Sequence, residues 1–219
     1  MSDLLVIVPS RGRPHNIRRV QQAWEDTGAT ADLLVPIDDD DPCVDEYPSD
    51  ITVRGPRQRF GPSVNDHAVR AARSGRYKFI GSMGDDHIPR TPGWDAAVCS
   101  ALEEMSPGIV YPDDLWQREA LSTVVFMSAS IINATGSMCP AGLIHMFIDN
   151  VWMQWGRLAG CLRYLPEVVI EHMHPHAAKA DHDASYLESQ ALMGPDQERF
   201  AAYEANGMAE DVERIKALL

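Results

Sequence analysis

Residues 4–8, LLVIV, form an unbroken apolar run rich in branched side chains, which predicts a strand buried on both faces of a parallel sheet. Ser10-Arg11-Gly12-Arg13 then turns the chain. Pro14 suits a first helical position, and Ile17, Val20 and Trp24 recur at helical spacing until Gly28, a natural helix stop. Residues 33–37 predict a second strand running into the acidic cluster Asp38-Asp39-Asp40-Asp41. Strand, helix, strand implies a right-handed parallel crossover, so the cluster is expected at a strand's carboxyl end. Ser63 is expected to cap a helix through about Arg73. Residues 77–83 read as a third strand ending in Gly84-Asp85-Asp86-His87, after which Thr91 and Pro92 open a helix carrying Trp94, Ala97, Val98 and Leu102. Residues 109–111 and 123–127 are β candidates. Residues 147–158 are helical, with Phe147, Val151, Trp155 and Leu158 on one apolar face, and residues 165–173 form a strand followed by a helical tail.

At 219 residues the chain suits one domain with a small appendage. A composition of 45% hydrophobic and 23% charged residues is that of a globular protein and excludes disorder over most of the length. The formal charge of −13 opposes binding to phosphate backbones by overall electrostatics and leaves only a local basic patch for such a role. Cys43, Cys99, Cys139 and Cys161 include no CxxC pair, which argues against a zinc ribbon or a disulfide framework and fits a reducing cytoplasm. The first apolar run is too short for a signal segment, and no run approaches the ~20 apolar residues of a membrane span, so a cytoplasmic protein without a membrane partner is expected.

In open α/β sheets ligands bind where loops converge at the carboxyl ends of strands. Ser10 to Arg13, Asp38 to Asp41 and Asp85 to His87 each follow an expected strand, which aligns them along one rim. Two carboxylates and an imidazole on the Asp85-Asp86-His87 turn suit Mn2+ or Mg2+, although such a turn also serves as an ordinary solvated loop. Strand alternation puts His172 and His174 on one face, where an imidazole can complete a metal site, and His172 is favoured because Pro175 marks the strand's end. Asp149 lies ~200° around its helix from Phe147, and either steadies the helix N-terminus or acts as a general base. Arg11, Arg13, Arg57 and Arg59 suit diphosphate oxygens or pair with the many carboxylates. Trp94 and Trp116 could stack a sugar or base, core packing being the more natural role for Trp94.

The succession Val6-Ile7-Val8-Pro9-Ser10-Arg11-Gly12-Arg13-Pro14, Asp38-Asp39-Asp40, Gly61 through Asn65, and Asp85-Asp86-His87-Ile88-Pro89 with Pro92-Gly93-Trp94 resembles family-2 glycosyltransferases of GT-A fold. Phe147-Ile148-Asp149-Asn150, Gly160 and the strand ending in His172 extend the resemblance to about residue 175. Length and the Glu171-His172-Met173-His174-Pro175 ending are also similar to small bacteriophage glycosyltransferases, including those associated with hydroxymethylated pyrimidines of DNA.

The resemblance implies an α/β three-layer sandwich with a mostly parallel central sheet and a helical C-terminal tail. It implies a catalytic domain over residues 1–180 and a helical extension over 181–219 packed on the same domain. It further implies hexosyl transfer from a nucleotide-diphosphate sugar such as a UDP-sugar, with inversion, onto an acceptor hydroxyl of a saccharide or of modified DNA. By position, Pro9, Ser10 and Arg11 would line the nucleotide pocket, Asp38 and Asp40 would hold base and ribose, and Asn65 would face the nucleotide. Asp85 and His87 would be the outer members of the DXD metal motif, Asp86 would contact ribose or sugar, His172 would complete the metal shell, and Asp149 would be the base. His87 stands where most relatives have aspartate, and Asn150 where an acidic pair is usual. A nucleotidyltransferase would normally carry a glycine-rich first loop, which Ser10 to Arg13 is not. A metallohydrolase built from Asp85, Asp86, His172 and His174 stays open, as does a non-catalytic nucleotide-sugar-binding module.

Overall fold

In a computed structural model describing residues 2–179 and 183–219, eight strands among the described residues make one sheet. They are β1 (Leu4–Ile7), β2 (Asp32–Asp38), β3 (Thr52–Gly55), β4 (Phe79–Ser82), β5 (His87–Pro89), β6 (Ile109–Asp113), β7 (Val125–Ser128) and β8 (Leu162–His172). The order across the sheet is β3-β2-β1-β4-β7-β6-β8-β5. The pairs among β3, β2, β1 and β4 are parallel, as is β6 with β8, while β7 opposes both of its neighbours and β5 opposes β8. Six strands therefore point their carboxyl ends at one rim, and the two reversed strands deliver their first residues to that same rim.

Helices α1 (Pro14–Thr27) and α3 (Trp94–Met105) cover one face. Helices α2 (Phe60–Ser74), α4 (Ala129–Thr135) and α5 (Ile148–Ala159) cover the other. Alternation along β1 explains both layers: Leu4, Val6 and Val8 pack with Ile17, Trp24 and Trp94, whereas Leu5 and Ile7 pack with Val64, Ile132 and Trp152. The tail contributes α6 (Ala184–Gln190), α7 (Met193–Asn206) and α8 (Met208–Lys216), and Met208, Val212 and Ile215 of α8 join the second layer. The expected domain boundary at 180/181 lies outside the described residues. No helix among the described residues is long and apolar enough to cross a membrane.

Several local expectations are corrected. Helix α2 starts at Phe60, so Ser63 lies inside its first turn, and the capping position falls to Arg59 at φ 70°. The buried arc of α5 is centred on Trp155 and Ala159, leaving Leu158 55% exposed. The short elements β3, β5 and α4 carry too few periodic positions to be read from pattern alone.

Candidate active site

A cleft of about 460 Å³ opens along the carboxyl rim of the sheet. At its β1–β2 end, Ser10 pairs with Ile37, extending the ladder, and its hydroxyl donates to Asp85 Oδ2 at 2.6 Å. The Arg13 guanidinium reaches Asp85 Oδ1 at 3.1 Å. Burial pushes the Asp85 carboxyl up to about 6, against the pull of Arg13. Arg11 donates to Asp38 at 3.0 Å and to Asp40 at 2.6 Å; Asp38 lines the cleft, whereas Asp40, its side chain 59% exposed, does not.

The segment around α6 reaches Arg13 and two further arginines, Arg57 and Arg59. Asp183 takes Arg13 Nε at 2.6 Å, and Glu188 takes Arg57 at 2.5 Å and Arg59 at 2.8 Å. Ser185 also donates to the Arg11 carbonyl.

Toward β8, ligand atoms of Asp86, His87 and His172 lie within 4.8 Å of one another. The topology produces this meeting: His87 opens reversed β5, His172 ends β8, and the two are direct cross-strand partners with rings stacked at 3.8 Å. Asp86 Oδ2 is 3.4 Å from His172 Nε2, and its Oδ1 is 3.1 Å from His87 Nδ1. The imidazoles hold Asp86 well below the usual carboxylate range despite its burial. His87 Nδ1 and His172 Nε2 are thus both turned toward the Asp86 carboxylate, and two imidazole nitrogens with one carboxylate fit a divalent cation of intermediate softness, as Mn2+ is. Gly84 keeps the turn open: a Cβ there would sit 2.7 Å from the Asp86 carboxylate and 3.1 Å from His87 Nδ1.

Asp114, 1% exposed, stands behind His172 at 3.8 Å from Nδ1. Its Oδ1 accepts the N–H groups of Trp116, Gln117 and Arg118, and its Oδ2 accepts the Thr123 hydroxyl at 2.8 Å. Burial disfavours a charged imidazole, but Asp114 and Asp86 outweigh it and hold His172 up at about 9.

The metal expectation is thereby redrawn. Asp85 is held by Ser10 and Arg13, and Asp86 takes its place beside the imidazoles. His174 is stacked on Trp116 at 4.2 Å, and its Nδ1 accepts the His176 N–H, which keeps it out of the cluster. Asn65 does not line the cleft: its amide bonds the backbone of Met138 and Cys139, fastening α2 to that loop. Trp94 is fully buried in the core.

Asp149 lines the cleft in the first turn of α5, where burial raises its carboxyl and the nearby His172 charge partly offsets the rise. Preceding it, Phe147 adopts φ 66°, a left-handed conformation that is strained for a non-glycine residue. Asp196 of α7, fully buried, accepts the N–H groups of His145 and Met146 at 2.8 Å each and so fixes the approach to Asp149. Asp114, His145, Asp183, Glu188 and Asp196 escaped the sequence reading. Only Asp114 carried a signal, since it follows an expected strand as Asp38 and Asp85 do.

No protein-family model and no curated protein sequence matches the chain. Solved structures match in fold. A mannosyltransferase from Pyrobaculum calidifontis, PcManGT, in complex with GDP-Man and Mn2+, is 15% identical, over 99% of this chain and 73% of that one, with a TM-score of 0.57. S. aureus TarS 1-349 is 11% identical over 78% of this chain, which spans 60% of that fragment's length, with a TM-score of 0.53. Glucosyl-3-phosphoglycerate synthase from Mycobacterium tuberculosis, in complex with Mg2+ and UDP, is 14% identical over 78% of this chain and 71% of that one, again with a TM-score of 0.53. The architecture is thus the mixed α/β, mostly parallel GT-A arrangement.

Proposed function

We propose that the chain is a metal-dependent glycosyltransferase that moves a hexosyl group from a nucleotide-diphosphate sugar to an acceptor hydroxyl with inversion. The observation carrying this reading is the convergence of Asp86, His87 and His172 in one cleft with Asp149 and the arginine-bearing loops. The GT-A likeness to structures holding GDP-Man with Mn2+ or UDP with Mg2+ supports it.

Asp86, His87 and His172 would hold Mn2+ or Mg2+, which when bound supplies positive charge to the departing diphosphate. Pro9, Ser10, Arg11 and Asp38 line the nucleotide end, with Arg11 and Arg13 placed to donate to phosphate oxygens. Asp149, its carboxyl raised by burial, takes the acceptor hydroxyl's proton as that oxygen bonds to the anomeric carbon and the nucleoside diphosphate leaves with the bonding pair. Asp85 holds Ser10 and Arg13 in register for that geometry. The hydrolase reading needs a second metal set containing His174, and the stacking of that ring under Trp116 argues against it.

Thermal shift with UDP- and GDP-sugars, with and without Mn2+, tests the proposal. A metal-dependent rise with at least one sugar nucleotide is expected, and no rise with any would overturn it.

A further inference from the structure

Asp86 faces one nitrogen of each imidazole, and the opposite nitrogens face a second polar pair, Asp114 and Thr123. The topology makes this pair. β6 and β7 are antiparallel neighbours, so Asp114, just past the end of β6, and Thr123, just ahead of β7, stand side by side. The Thr123 hydroxyl donates to Asp114 Oδ2 at 2.8 Å and lies 3.4 Å from His87 Nε2. The same Oδ2 is 3.8 Å from His172 Nδ1, within ion-pair reach. Asp114 is held against swinging away: its Oδ1 accepts the N–H groups of Trp116, Gln117 and Arg118, and its carbonyl accepts the His172 N–H at 3.0 Å. The loop bends to allow this, with Leu115 at φ 57° and Arg118 at φ 52°, strain that persists only where the surroundings over-determine it.

Proton counting gives the pair a task. A neutral imidazole has one N–H and one bare nitrogen, and only the bare one can ligate a cation. His87 Nδ1 and His172 Nε2 are the nitrogens turned toward Asp86. They must be bare for the cluster to take an ion, which puts the ring protons on His87 Nε2 and His172 Nδ1. Both rings are buried, His87 being 3% and His172 8% exposed, so each of those N–H groups needs an acceptor. A threonine hydroxyl can donate or accept, but the single hydrogen of Thr123 is committed to Asp114, which leaves only lone pairs for His87. Toward His172 an ionised Asp114 likewise offers only lone pairs. One carboxylate thereby dictates the free nitrogen of both rings, directly for His172 and through Thr123 for His87.

We propose that Asp114 and Thr123 are the positioning residues of the metal cluster, a shared brace that fixes both imidazoles with their bare nitrogens toward Asp86; the assignment rests on the metal-bearing transferase reading above. The test uses the full chain, with Mn2+ binding read by calorimetry and the histidine ring protons read by nitrogen-resolved NMR on the protein loaded with diamagnetic Zn2+. Thr123→Val, which keeps the shape and drops the hydroxyl, is expected to weaken Mn2+ binding about tenfold, and Thr123→Ser to stay within about twofold of the parent. Asp114→Asn, which turns an N–H group toward Thr123 and His172 when its oxygen keeps the backbone donors, is expected to weaken it by about 10–100-fold. The Zn2+ form of the parent should show slowly exchanging protons on His87 Nε2 and His172 Nδ1. Thr123→Val should speed exchange of the first and spare the second, a pattern that general loosening of the loop would not give. Three results would overturn the brace and leave the transferase reading in place: Mn2+ affinity indifferent to Thr123→Val and Asp114→Asn, binding as weak in Thr123→Ser as in Thr123→Val, or ring protons of the loaded parent on the nitrogens facing Asp86. That last measurement needs no variant, so the proposal can fail even where a substitution prevents folding. A parent that binds neither Mn2+ nor Zn2+ would overturn the metal site of the transferase reading and the brace with it.

Discussion

At the β1–β2 end of the cleft, Arg11, Arg13, Arg57 and Arg59 are tied to Asp38, Asp40, Asp85, Asp183 and Glu188. At the β6–β8 end a single carboxylate, Asp114, binds three backbone N–H groups and one hydroxyl and faces one imidazole. The ion pairs to Asp183 and Glu188 involve carboxylates 44% and 45% exposed, and pairs this open to water are worth about 0–1 kcal/mol. They are exchangeable at small cost, as the proposed diphosphate donor requires of these guanidinium groups. Asp114 is 1% exposed, and removing it would take the shared acceptor from four partly buried donors, so its end of the cleft is fixed. One end is built to trade partners and the other to hold a shape.

The largest test of this contrast falls between the two ends, at Asp149. Asp149→Asn is expected to lower turnover by about 10²–10⁴-fold, the usual contribution of a general base, while the nucleotide-sugar thermal shift persists. Because burial raises the Asp149 carboxyl, the active, ionised form is lost as pH falls through a value above the ordinary ~4 of a carboxylate. The acid limb of kcat should therefore lie above that value and vanish from the residual rate of the variant.

At the fixed end, Asp114→Ala should cost about 1–3 kcal/mol of stability, read by urea denaturation at pH 7, since it takes a shared acceptor from four partly buried donors. The Asp114 carboxyl is depressed, its hydrogen bonds outweighing its burial. It therefore contributes stability present above the unfolded value of ~3.9 and lost as pH falls through the lower folded value, and Asp114→Asn should remove that part of the acid sensitivity.

His172→Ala should weaken Mn2+ binding by about 10–100-fold in calorimetry, because one of three donors is lost while Asp86 and His87 remain. The smallest effect is expected at the exchangeable end. Glu188→Gln, which frees Arg57 and Arg59, should tighten UDP or GDP by about two- to fivefold, the scale of an exposed ion pair; weaker binding would mean that Glu188 does more than compete with phosphate.

The alignment of clusters along one rim was legible because parallel βα units leave their loops on one side, so residue order alone placed Ser10, Asp38 and Asp85 there. Convergence with His172 was legible as chemistry but not as geometry. It depends on β5, three residues long, reversing so that its first side chain faces the last of β8. Which of two adjacent carboxylates would face the imidazoles was hidden, since Ser10 and Arg13, 75 and 72 residues upstream of Asp85, decide it by claiming Asp85. Asn65 entered as a site residue through the family resemblance alone. Its partners, Met138 and Cys139, lie in a loop with no periodic signal.

Asp196 sits in α7, downstream of every described strand, yet its carboxylate sets the backbone ahead of Asp149. On the ribosome the whole sheet can therefore assemble while the pocket wall is still unfinished. The wall beside Asp149 is completed only when the tail docks.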